Sequence, residues 1–163
     1  MLTLGIDPGT ATVGYGIVRD HPDGSLEAVA YGVITTPAKT PMPDRLKTIY
    51  DGITALIELY KPERSAIEVM FFGKNITTAI TVAQGRGVAL LALANAALPI
   101  HEYKPAEIKQ SVSGYGAASK EQMQQMVKLL LSLESIPKPD DAADGLAIAI
   151  TDISNSRYNA YTD

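Results

Sequence analysis

The sequence has no cysteine and no apolar run of membrane-spanning length. Without cysteine there is no disulfide, no thiolate metal ligand and no thiol nucleophile, so any metal ion must be held by oxygen or imidazole ligands. The longest apolar runs contain Gly, Arg or Asn, and the first residues, MLTLGID, lack a basic leader followed by a cleavable apolar stretch. We therefore expect neither secretion nor membrane insertion, and we predict a cytoplasmic location.

An excess of basic residues is missing as well. The chain has 14 Lys and Arg against 18 Asp and Glu, which gives a formal net charge of −4 and a pI of about 5.1. This balance argues against a protein that coats nucleic acid through bulk electrostatics. If four of the 18 acidic groups were neutralised by divalent cations, 14 would remain opposite 14 basic groups. The positions of the basic side chains would then decide what the surface binds.

The length of 163 residues, with 46% hydrophobic and 20% charged residues, is typical of one soluble globular domain. We predict that this domain covers residues 1–153. Residues 154–163 are mostly polar, and we expect them to form a flexible C-terminal tail.

The hydrophobic pattern predicts an α/β fold. Two turn sequences, Asp7-Pro8-Gly9-Thr10 and His21-Pro22-Asp23-Gly24, separate three β-rich segments at the start of the chain, which is typical of an antiparallel meander. Later segments mostly repeat apolar residues every three or four positions, as one face of a helix does. This order predicts a five-stranded mixed sheet flanked by helices. The predicted strands cover 1–7, 13–18, 27–34, 65–68 and 99–103, and the predicted helices cover 43–60, 75–97, 104–112, 118–133 and 140–153.

Two glycines, Gly85 and Gly87, fall inside the helix predicted over 75–97. Within a helix each glycine costs about 1 kcal/mol relative to alanine. We therefore expect another backbone or another helix to pack closely at this point. A second copy of the chain would meet that expectation, so the two glycines are compatible with a homodimer.

Four acidic residues lie where an acidic residue is hard to justify by stability alone. Asp7 ends the first apolar strand, and Glu68 ends a short buried strand. Asp141 and Asp144 are three residues apart at the start of a nearly all-apolar helix, so their side chains share one face of it. Two strand ends and one helix face can converge at the edge of a sheet, which would gather the four carboxylates.

Each acid also has a structural explanation. Asp7 before Pro-Gly is a common turn residue, Glu68 can mark a strand that leaves the core, and Asp141 can favour the helix dipole beside an N-cap at Asp140. Together, however, the four predict a divalent cation, because buried carboxylates held close together repel one another unless a cation compensates them. Oxygen ligands without cysteine or a nearby histidine favour Mg²⁺ or Mn²⁺ over zinc. Two such ions can activate a water and stabilise the leaving oxygen in phosphodiester hydrolysis.

The opening Leu4-Gly5-Ile6-Asp7-Pro8-Gly9-Thr10, followed by Gly14-Tyr15-Gly16, resembles the opening of RuvC-type Holliday-junction resolvases. Further segments agree with that family's pattern in order and spacing, and together they extend the resemblance over residues 1–151. They are Ala66-Ile67-Glu68 followed by Phe71, Lys74-Asn75, Gln84-Gly85-Arg86-Gly87, Lys109-Gln110, Gly114-Tyr115-Gly116, Lys120 and Asp141-Ala142-Ala143-Asp144.

The resemblance implies an RNase H-like fold, with helices on both faces of the five-stranded sheet, and an endonuclease that resolves four-way DNA junctions in recombination and repair. It implies that Asp7, Glu68, Asp141 and Asp144 are the catalytic, metal-binding acids, with Mg²⁺, or alternatively Mn²⁺, as the cofactor and two ions per site. It also implies a homodimer that nicks two opposed strands and leaves 5′-phosphate and 3′-hydroxyl ends. The RuvA–RuvB branch-migration complex is the implied partner.

The same resemblance implies a DNA-binding surface. Lys109 and Lys120 match basic residues near the family's active site, where they can hold a phosphate, and a solvated helix face is the alternative. Phe71 can stack on a base at the junction centre or be an ordinary core residue, and one of Phe71 and Phe72 is expected to be buried. Arg86 can contact the DNA backbone or serve the dimer interface. The predicted DNA-binding residues are Phe71, Phe72, Lys74, Asn75, Arg86, Lys109, Gly114, Tyr115 and Lys120.

Two other functions fit parts of the sequence. The segment Gly5-Ile6-Asp7-Pro8-Gly9-Thr10 also resembles the phosphate loop of actin-like ATPases and sugar kinases. Those proteins need two such domains around a nucleotide, and the 163 residues hold only one and no second phosphate-binding glycine loop. The other alternative is a module that binds branched DNA without cutting it. That function is expected when one metal ligand is lost, whereas all four acids are present here.

Overall fold

A computed structural model describes residues 1–71 and 73–162 of the chain. Among these residues there are five strands and five helices, in the predicted order. The strands are β1 (Leu2–Asp7), β2 (Thr12–Asp20), β3 (Leu26–Thr35), β4 (Arg64–Glu68) and β5 (Ile100–Tyr103). The helices are α1 (Met42–Tyr60), α2 (Ile76–Asn95), α3 (Pro105–Ser113), α4 (Lys120–Leu130) and α5 (Asp140–Thr162).

The strands form one sheet in the order β3-β2-β1-β4-β5. β1, β2 and β3 run antiparallel as a meander, whereas β4 is parallel to β1 and β5 is parallel to β4. The predicted meander and the predicted mixed sheet are therefore confirmed. Because Ile6 pairs with Ile67 in the parallel register, Asp7 and Glu68 end neighbouring strands at the same edge of the sheet.

Helices cover both faces of the sheet, as predicted. α1 and α2 bury one apolar cluster against it, and α3, α4 and α5 bury a second cluster against the opposite face. Removing apolar surface from water on both sides holds β1 and β4 at the centre of the fold. Buried members of the first cluster include Leu4, Ile17, Ile49, Ile53, Ile67 and Leu93, and those of the second include Val18, Ala66, Val127, Leu146 and Ile150.

The last helix, α5, is longer than the sequence indicated. We expected it to end at Ile153 and to be followed by a flexible tail over 154–163, but the helix continues to Thr162. A polar contact fastens this extension, because Arg157 donates to the carboxylate of Asp20 at the end of β2. The predicted end of the helix at Ile153 was wrong because it followed apolar periodicity, which stops there, whereas ion pairing of Arg157 holds the polar residues that follow.

Helices α2 and α4 begin at side-chain caps. The Asn75 side chain accepts from the backbone N–H of Thr78 over 3.2 Å at the start of α2. At the start of α4, the Ser119 hydroxyl accepts from the backbone N–H of Gln122, and the Gln122 side chain accepts from the Ser119 N–H in return. Such caps satisfy backbone donors that the first turn of a helix leaves unpaired. Lys120 is consequently the first residue of α4.

Helix α2 passes close to the turn that follows β1. A Cβ at Gly85 would lie 2.6 Å from the carbonyl oxygen of Gly9, so the expected close packing occurs here, within the chain. A Cβ at Gly87 would meet no described atom within 4 Å. Within the described ranges α2 is also the one helix long and apolar enough, by length and composition only, to cross a membrane, with a mean hydropathy of 1.4. Its contacts with the β1 turn and the sheet make it a layer of this fold.

Candidate metal centre and active site

Helix α5 lies against the backbone of the sheet because glycines face it. A Cβ at Gly14 would overlap the carbonyl oxygen of Asp141, and a Cβ at Gly16 would lie 2.5 Å from the backbone nitrogen of Leu146. Gly145 has the same role from the helix side, since its Cβ would lie 2.5 Å from the backbone of β2. This close approach brings the first turns of α5 next to the end of β1.

The four predicted acids meet at this point. Asp7, Asp141 and Asp144 each offer a carboxylate oxygen, and these oxygens all lie within 4.8 Å of one another. Glu68 lies beside them at the end of β4 and lines a cavity together with Asp144. All four residues are half-buried. Two strand ends and one helix face therefore converge at one edge of the sheet, as their sequence positions predicted.

Crowding of carboxylates has its largest effect on Asp7, whose pKa rises from 3.8 to about 8. The first cause is burial, which disfavours the charged form, and the charges of Asp144, Glu68 and Asp141 add to it in that order. Without a cation, Asp7 therefore holds a proton near neutral pH. Perturbations of this size cluster at functional sites.

Burial also raises the pKa of Glu68 and of Asp144. At Glu68, the charge of Asp144 raises the pKa further and the charge of Lys109 opposes the rise. At Asp144, the charge of Lys120 opposes the rise, and that of Asp141 adds to it. Two lysines thus lie close enough to compensate part of the acidic charge.

The donor set fits a hard divalent cation. The cluster offers carboxylate oxygens alone, without imidazole or thiolate, within the described residues. Mg²⁺ and Mn²⁺ prefer oxygen ligands, whereas structural zinc sites use cysteine and histidine. A cation would also remove the repulsion that contributes to the raised pKa of Asp7.

A cavity of about 230 Å³ opens next to the acids. Lys109 on α3 and Lys120 at the start of α4 both line it, together with Glu68 and Asp144. Lys120 also forms an ion pair with Asp140 at 3.1 Å. An anion in this cavity would therefore lie within reach of two ammonium groups beside the acidic cluster. The apolar part of the wall comes from Pro105, Ile108, Met123, Ala147 and Ile148.

The segment after β4 carries three further predicted DNA contacts. Phe71 is 64% exposed, so the alternative that it is a core residue is wrong. Lys74 is exposed, and Asn75 uses its side-chain oxygen to cap α2. Phe71, Lys74 and Asn75 line one shallow surface pocket. Phe72, the fourth residue predicted here, lies outside the described residues.

Arg86 lies further inside the fold than its predicted role requires. Its side chain is 17% exposed, and its guanidinium donates to Glu102 over 2.9 Å and to the backbone carbonyl oxygen of Glu68 over 3.4 Å. These contacts link α2 to the ends of β4 and β5. Arg86 is therefore placed to support the strand that carries Glu68, and a DNA backbone would have to compete with both partners.

The loop between α3 and α4 holds the last two predicted DNA contacts. Gly114 ends α3 with a φ of 76°, a left-handed conformation that favours glycine. Tyr115 follows it and is 60% exposed. The loop joins the helices that carry Lys109 and Lys120, so Tyr115 is a candidate contact for the ligand that these lysines hold.

A second polar cluster was not predicted from the sequence. Asp152 on α5 is fully buried and is bound by Arg64 from β4 and by His101 and Tyr103 from β5. One signal was available, because Asp152 is a charged residue inside a nearly all-apolar stretch of α5. Its partners could not be read from the sequence, since Arg64 precedes it by 88 residues.

The chain matches the sequence family described as crossover junction endodeoxyribonuclease RuvC over residues 3–152. Relatives of that description include the protein of Chloroflexus aurantiacus, which is 59% identical over 150 residues, 92% of this chain and 91% of the relative. The protein of Heliobacterium modesticaldum is 55% identical over 150 residues, 92% of each chain. The similarity therefore extends over nearly the full length of this chain and of each relative.

Solved structures resemble this fold as well. Thermus thermophilus RuvC matches with a TM-score of 0.90 at 32% identity, over 98% of this chain and 97% of that one. The same protein in complex with a Holliday junction substrate matches with a TM-score of 0.88 at 29% identity, over 97% and 96%. The yeast mitochondrial Holliday junction resolvase Ydc2, at 18% identity and a TM-score of 0.63, covers 98% and 83% and shares the fold alone. The fold is RNase H-like, as the resemblance implied.

Proposed function

Because this chain belongs to the RuvC family of crossover junction endodeoxyribonucleases, we propose that it resolves four-way DNA junctions by metal-dependent hydrolysis. Two opposed strands are cut and left with 5′-phosphate and 3′-hydroxyl ends, in homologous recombination and repair. The observation that carries the proposal is the convergence of Asp7, Asp141 and Asp144 within 4.8 Å, with Glu68 beside them. A buried group of like charges is costly by itself and becomes favourable when it binds a cation.

Asp7, Glu68, Asp141 and Asp144 would hold the cofactor in this proposal. We take it to be Mg²⁺ at two ions per site, with Mn²⁺ as the alternative. Bound ions of this kind activate a water for attack on phosphorus and stabilise the oxygen that leaves. The support is the all-carboxylate donor set and the raised pKa of Asp7, whose proton must be released before Asp7 can serve as a ligand.

Lys109 and Lys120 would bind the phosphate of the scissile strand. A lysine ammonium is a compact point charge that attracts phosphate without fixing its orientation. Both lysines line the cavity beside the acids, so they would offset part of the acidic charge where the backbone must enter. With cations bound to the acids, this local placement would let a chain with a net charge of −4 bind DNA. Phe71, Lys74, Asn75 and Tyr115 would extend the contact surface.

Cutting two opposed strands requires two active sites, and a homodimer would supply them. Helix α2 offers a surface for self-association, because Ile76, Ile80, Gly87 and Leu91 recur at steps of four and seven and so share one side of the helix. Ile76, Ile80 and Leu91 are 74%, 55% and 53% exposed. Gly87 has open space in front of it, so a second helix can approach closely.

The RuvA–RuvB branch-migration complex is the proposed partner, and the cytoplasm the proposed location. Family membership supports both. A cleavage assay on a mobile junction tests the partnership, with the complex and ATP added or omitted. We expect faster cleavage when the complex is present, and an unchanged rate would contradict the proposal.

Neither alternative function is favoured. The actin-like and sugar-kinase interpretation rests on the glycine-rich turn after β1 alone, whereas residues 3–152 match crossover junction endodeoxyribonucleases. The non-cleaving module was expected to lack one of the acids, and all four lie at the same edge of the sheet. ATP hydrolysis without DNA would revive the first alternative.

A synthetic four-way junction with labelled strands tests the proposed reaction. We expect Mg²⁺-dependent nicks on two opposed strands, and Asp7→Asn should abolish them while the affinity for the junction stays unchanged. Asp23→Asn, in the exposed β2–β3 turn, is the matched control and should cleave as the wild type does. Loss of both cleavage and affinity in Asp7→Asn would mean that this residue is structural. Intact strands with the wild type in both Mg²⁺ and Mn²⁺ would overturn the nuclease proposal.

A further inference from the structure

The buried carboxylate of Asp152 has no part in the reaction proposed above, yet it lies on the same side of α5 as Asp141. The two residues are eleven positions apart, which is close to three turns of a helix at about 3.6 residues per turn. Asp152 is fully buried. A buried carboxylate needs partners that compensate its charge.

Asp152 finds those partners on two strands of the sheet. Its carboxylate accepts a hydrogen bond from the Nε of Arg64. It also accepts from the hydroxyl of Tyr103, over 2.8 Å, and pairs with Nδ1 of His101 over 2.6 Å. Arg64 also donates to the backbone carbonyl oxygen of Asp152 over 2.6 Å and to Oγ of Ser156 over 2.6 Å. Because Arg64 belongs to β4 and the other two partners belong to β5, the cluster fastens α5 to two adjacent strands.

The strand that supplies Arg64 also carries one of the four acids. Arg64, Ala66 and Glu68 alternate along β4 and therefore share a face, and Ala66 is buried in the core cluster beneath α5. On the helix, Asp144 lies near Glu68 and Asp152 contacts Arg64. Eight helical residues span about 12 Å, and four strand residues span about 13 Å. The helix and the strand thus run side by side, with Asp152 bound to Arg64 at one place and Asp144 near Glu68 at the other.

We propose that Asp152 is a positioning residue for the metal centre. Its bond to Arg64 fixes how far α5 lies along β4, and this fixes where Asp141 and Asp144 stand relative to Glu68. A slide of α5 would separate the acids and leave a buried charge unpaired, which is strongly unfavourable. The inference rests on the proposed function, because it concerns the cation that the acids would hold.

Asp20 offers a matched control for this role. Like Asp152, it is a carboxylate that links α5 to the sheet through an arginine, but here the carboxylate ends β2 and the arginine, Arg157, belongs to α5. Asp20 lies at the end of β2 that is remote from Asp7, because β2 runs antiparallel to β1 and pairs Asp7 with Gly14. β2 carries none of the four acids. Loss of Asp20 should weaken the fold without moving the acids.

Mn²⁺ binding to the full chain in the absence of DNA tests the proposal, with the electron paramagnetic resonance signal of free Mn²⁺ as the readout. Asp152→Asn should weaken Mn²⁺ binding about tenfold, as expected when ligands lose their supporting contacts. The Mg²⁺ concentration for half-maximal cleavage should rise by a similar factor, and the affinity for the junction without metal should not change. Asp20→Asn should match the wild type in all three measurements.

Tyr103→Phe keeps the test decisive if Asp152→Asn does not fold. It removes one donor to Asp152 and should weaken Mn²⁺ binding about two- to threefold. Wild-type Mn²⁺ affinity in the folded variants would overturn the positioning role while leaving the proposed function intact. Equal weakening in Asp20→Asn would assign the effect to general destabilisation and would also overturn it. A wild type that binds no Mn²⁺ would instead contradict the proposed function itself.

Discussion

The buried side of α5 holds carboxylates in two opposite electrostatic environments. In its first turns, Asp141 and Asp144 face two further acids, and the crowding contributes to a pKa of about 8 at Asp7. Three turns further along, Asp152 is bound by an arginine, a histidine and a tyrosine. One environment repels negative charge, and the other compensates it within the chain.

This difference indicates two different roles: Asp152 anchors helix α5, and the cluster around Asp7 is suited to bind a cation. Burying a charge is costly unless partners compensate it. The surroundings of Asp152 meet that condition, so the residue can hold the helix in place. The cluster around Asp7 does not meet it, so either a proton on Asp7 or a bound cation has to compensate the negative charge. The same change from acid to amide should therefore have opposite effects on stability at the two ends.

The largest effect is expected on junction cleavage when one of the four acids around Asp7 is changed. Glu68→Gln removes the charge of one of the four proposed metal ligands and should slow junction cleavage in Mg²⁺ at least about 1,000-fold, as loss of a catalytic group commonly does. Cleavage of a labelled junction measures this rate. Glu58→Gln, on the exposed side of α1, should be unaffected. A Glu68→Gln enzyme as fast as the control would break the distinction between the two ends.

The next largest effect is expected on the free energy of unfolding when a partner of the buried Asp152 carboxylate is removed. Arg64→Met leaves the buried carboxylate of Asp152 without its cation and should lower the free energy of unfolding by about 3–5 kcal/mol. Urea denaturation measures it. Adding Asp152→Leu to this variant should recover most of the loss, because an apolar pair can replace a buried ion pair at little cost. No loss in Arg64→Met would show that the pair does not anchor α5.

A smaller effect of opposite sign, a gain in the free energy of unfolding, is expected when Asp7 is replaced. Its pKa in the folded state, about 8, lies above the unfolded value of 3.8. The resulting stabilisation is present at low pH and is lost as pH rises from about 4 through about 8. With EDTA, Asp7→Asn should therefore be more stable than the wild type at pH 8 by about 2–4 kcal/mol, with allowance for solvent screening.

Unfolding of the Asp7→Asn variant and the wild type at pH 5 and pH 8 provides the measurement. The gap between the two proteins should narrow at the lower pH, where the wild-type residue is protonated. Mg²⁺ should raise the stability of the wild type at pH 8 because the ion binds the folded state alone. A variant that is less stable than the wild type at both pH values would contradict the repulsive character of the cluster.

The smallest effect is expected from the lysines that border the acids. Lys109→Gln should weaken junction binding by about 1 kcal/mol and reduce the slope of its salt dependence by about one, as the loss of one phosphate contact does. Binding measured in Ca²⁺ at several salt concentrations gives both quantities. Lys47→Gln on α1, whose lysine is 73% exposed, is the control. Identical slopes for Lys109→Gln and the wild type would remove Lys109 from the DNA surface.

Most of the fold could be predicted because it depends on local patterns. Strands and helices repeat their apolar residues with different periods, and turns use Pro and Gly at fixed places. The end of α5 could not be predicted this way, since Arg157 is held by Asp20, 137 residues earlier in the chain. Contacts between residues so far apart leave no periodic signal.

The candidate site divides in the same way. The four acids could be predicted because each stands at a strand end or in the first turns of a helix, and because their order resembles that of a known family. The contacts of Arg86 and Asp152 could not be predicted, because both residues lie on helices and their partners lie on strands that are distant in the sequence. Arg86 in particular has the sequence context of a basic residue on the surface, and only the structure shows that it is bound to Glu102.

Diffraction from crystals grown with Mn²⁺, recorded at the manganese absorption edge, tests most directly whether the acids share a cation. We predict an anomalous peak among the carboxylates of Asp7, Glu68, Asp141 and Asp144. Crystals of active enzyme that show no such peak, at a Mn²⁺ concentration that supports junction cleavage in solution, would contradict the account.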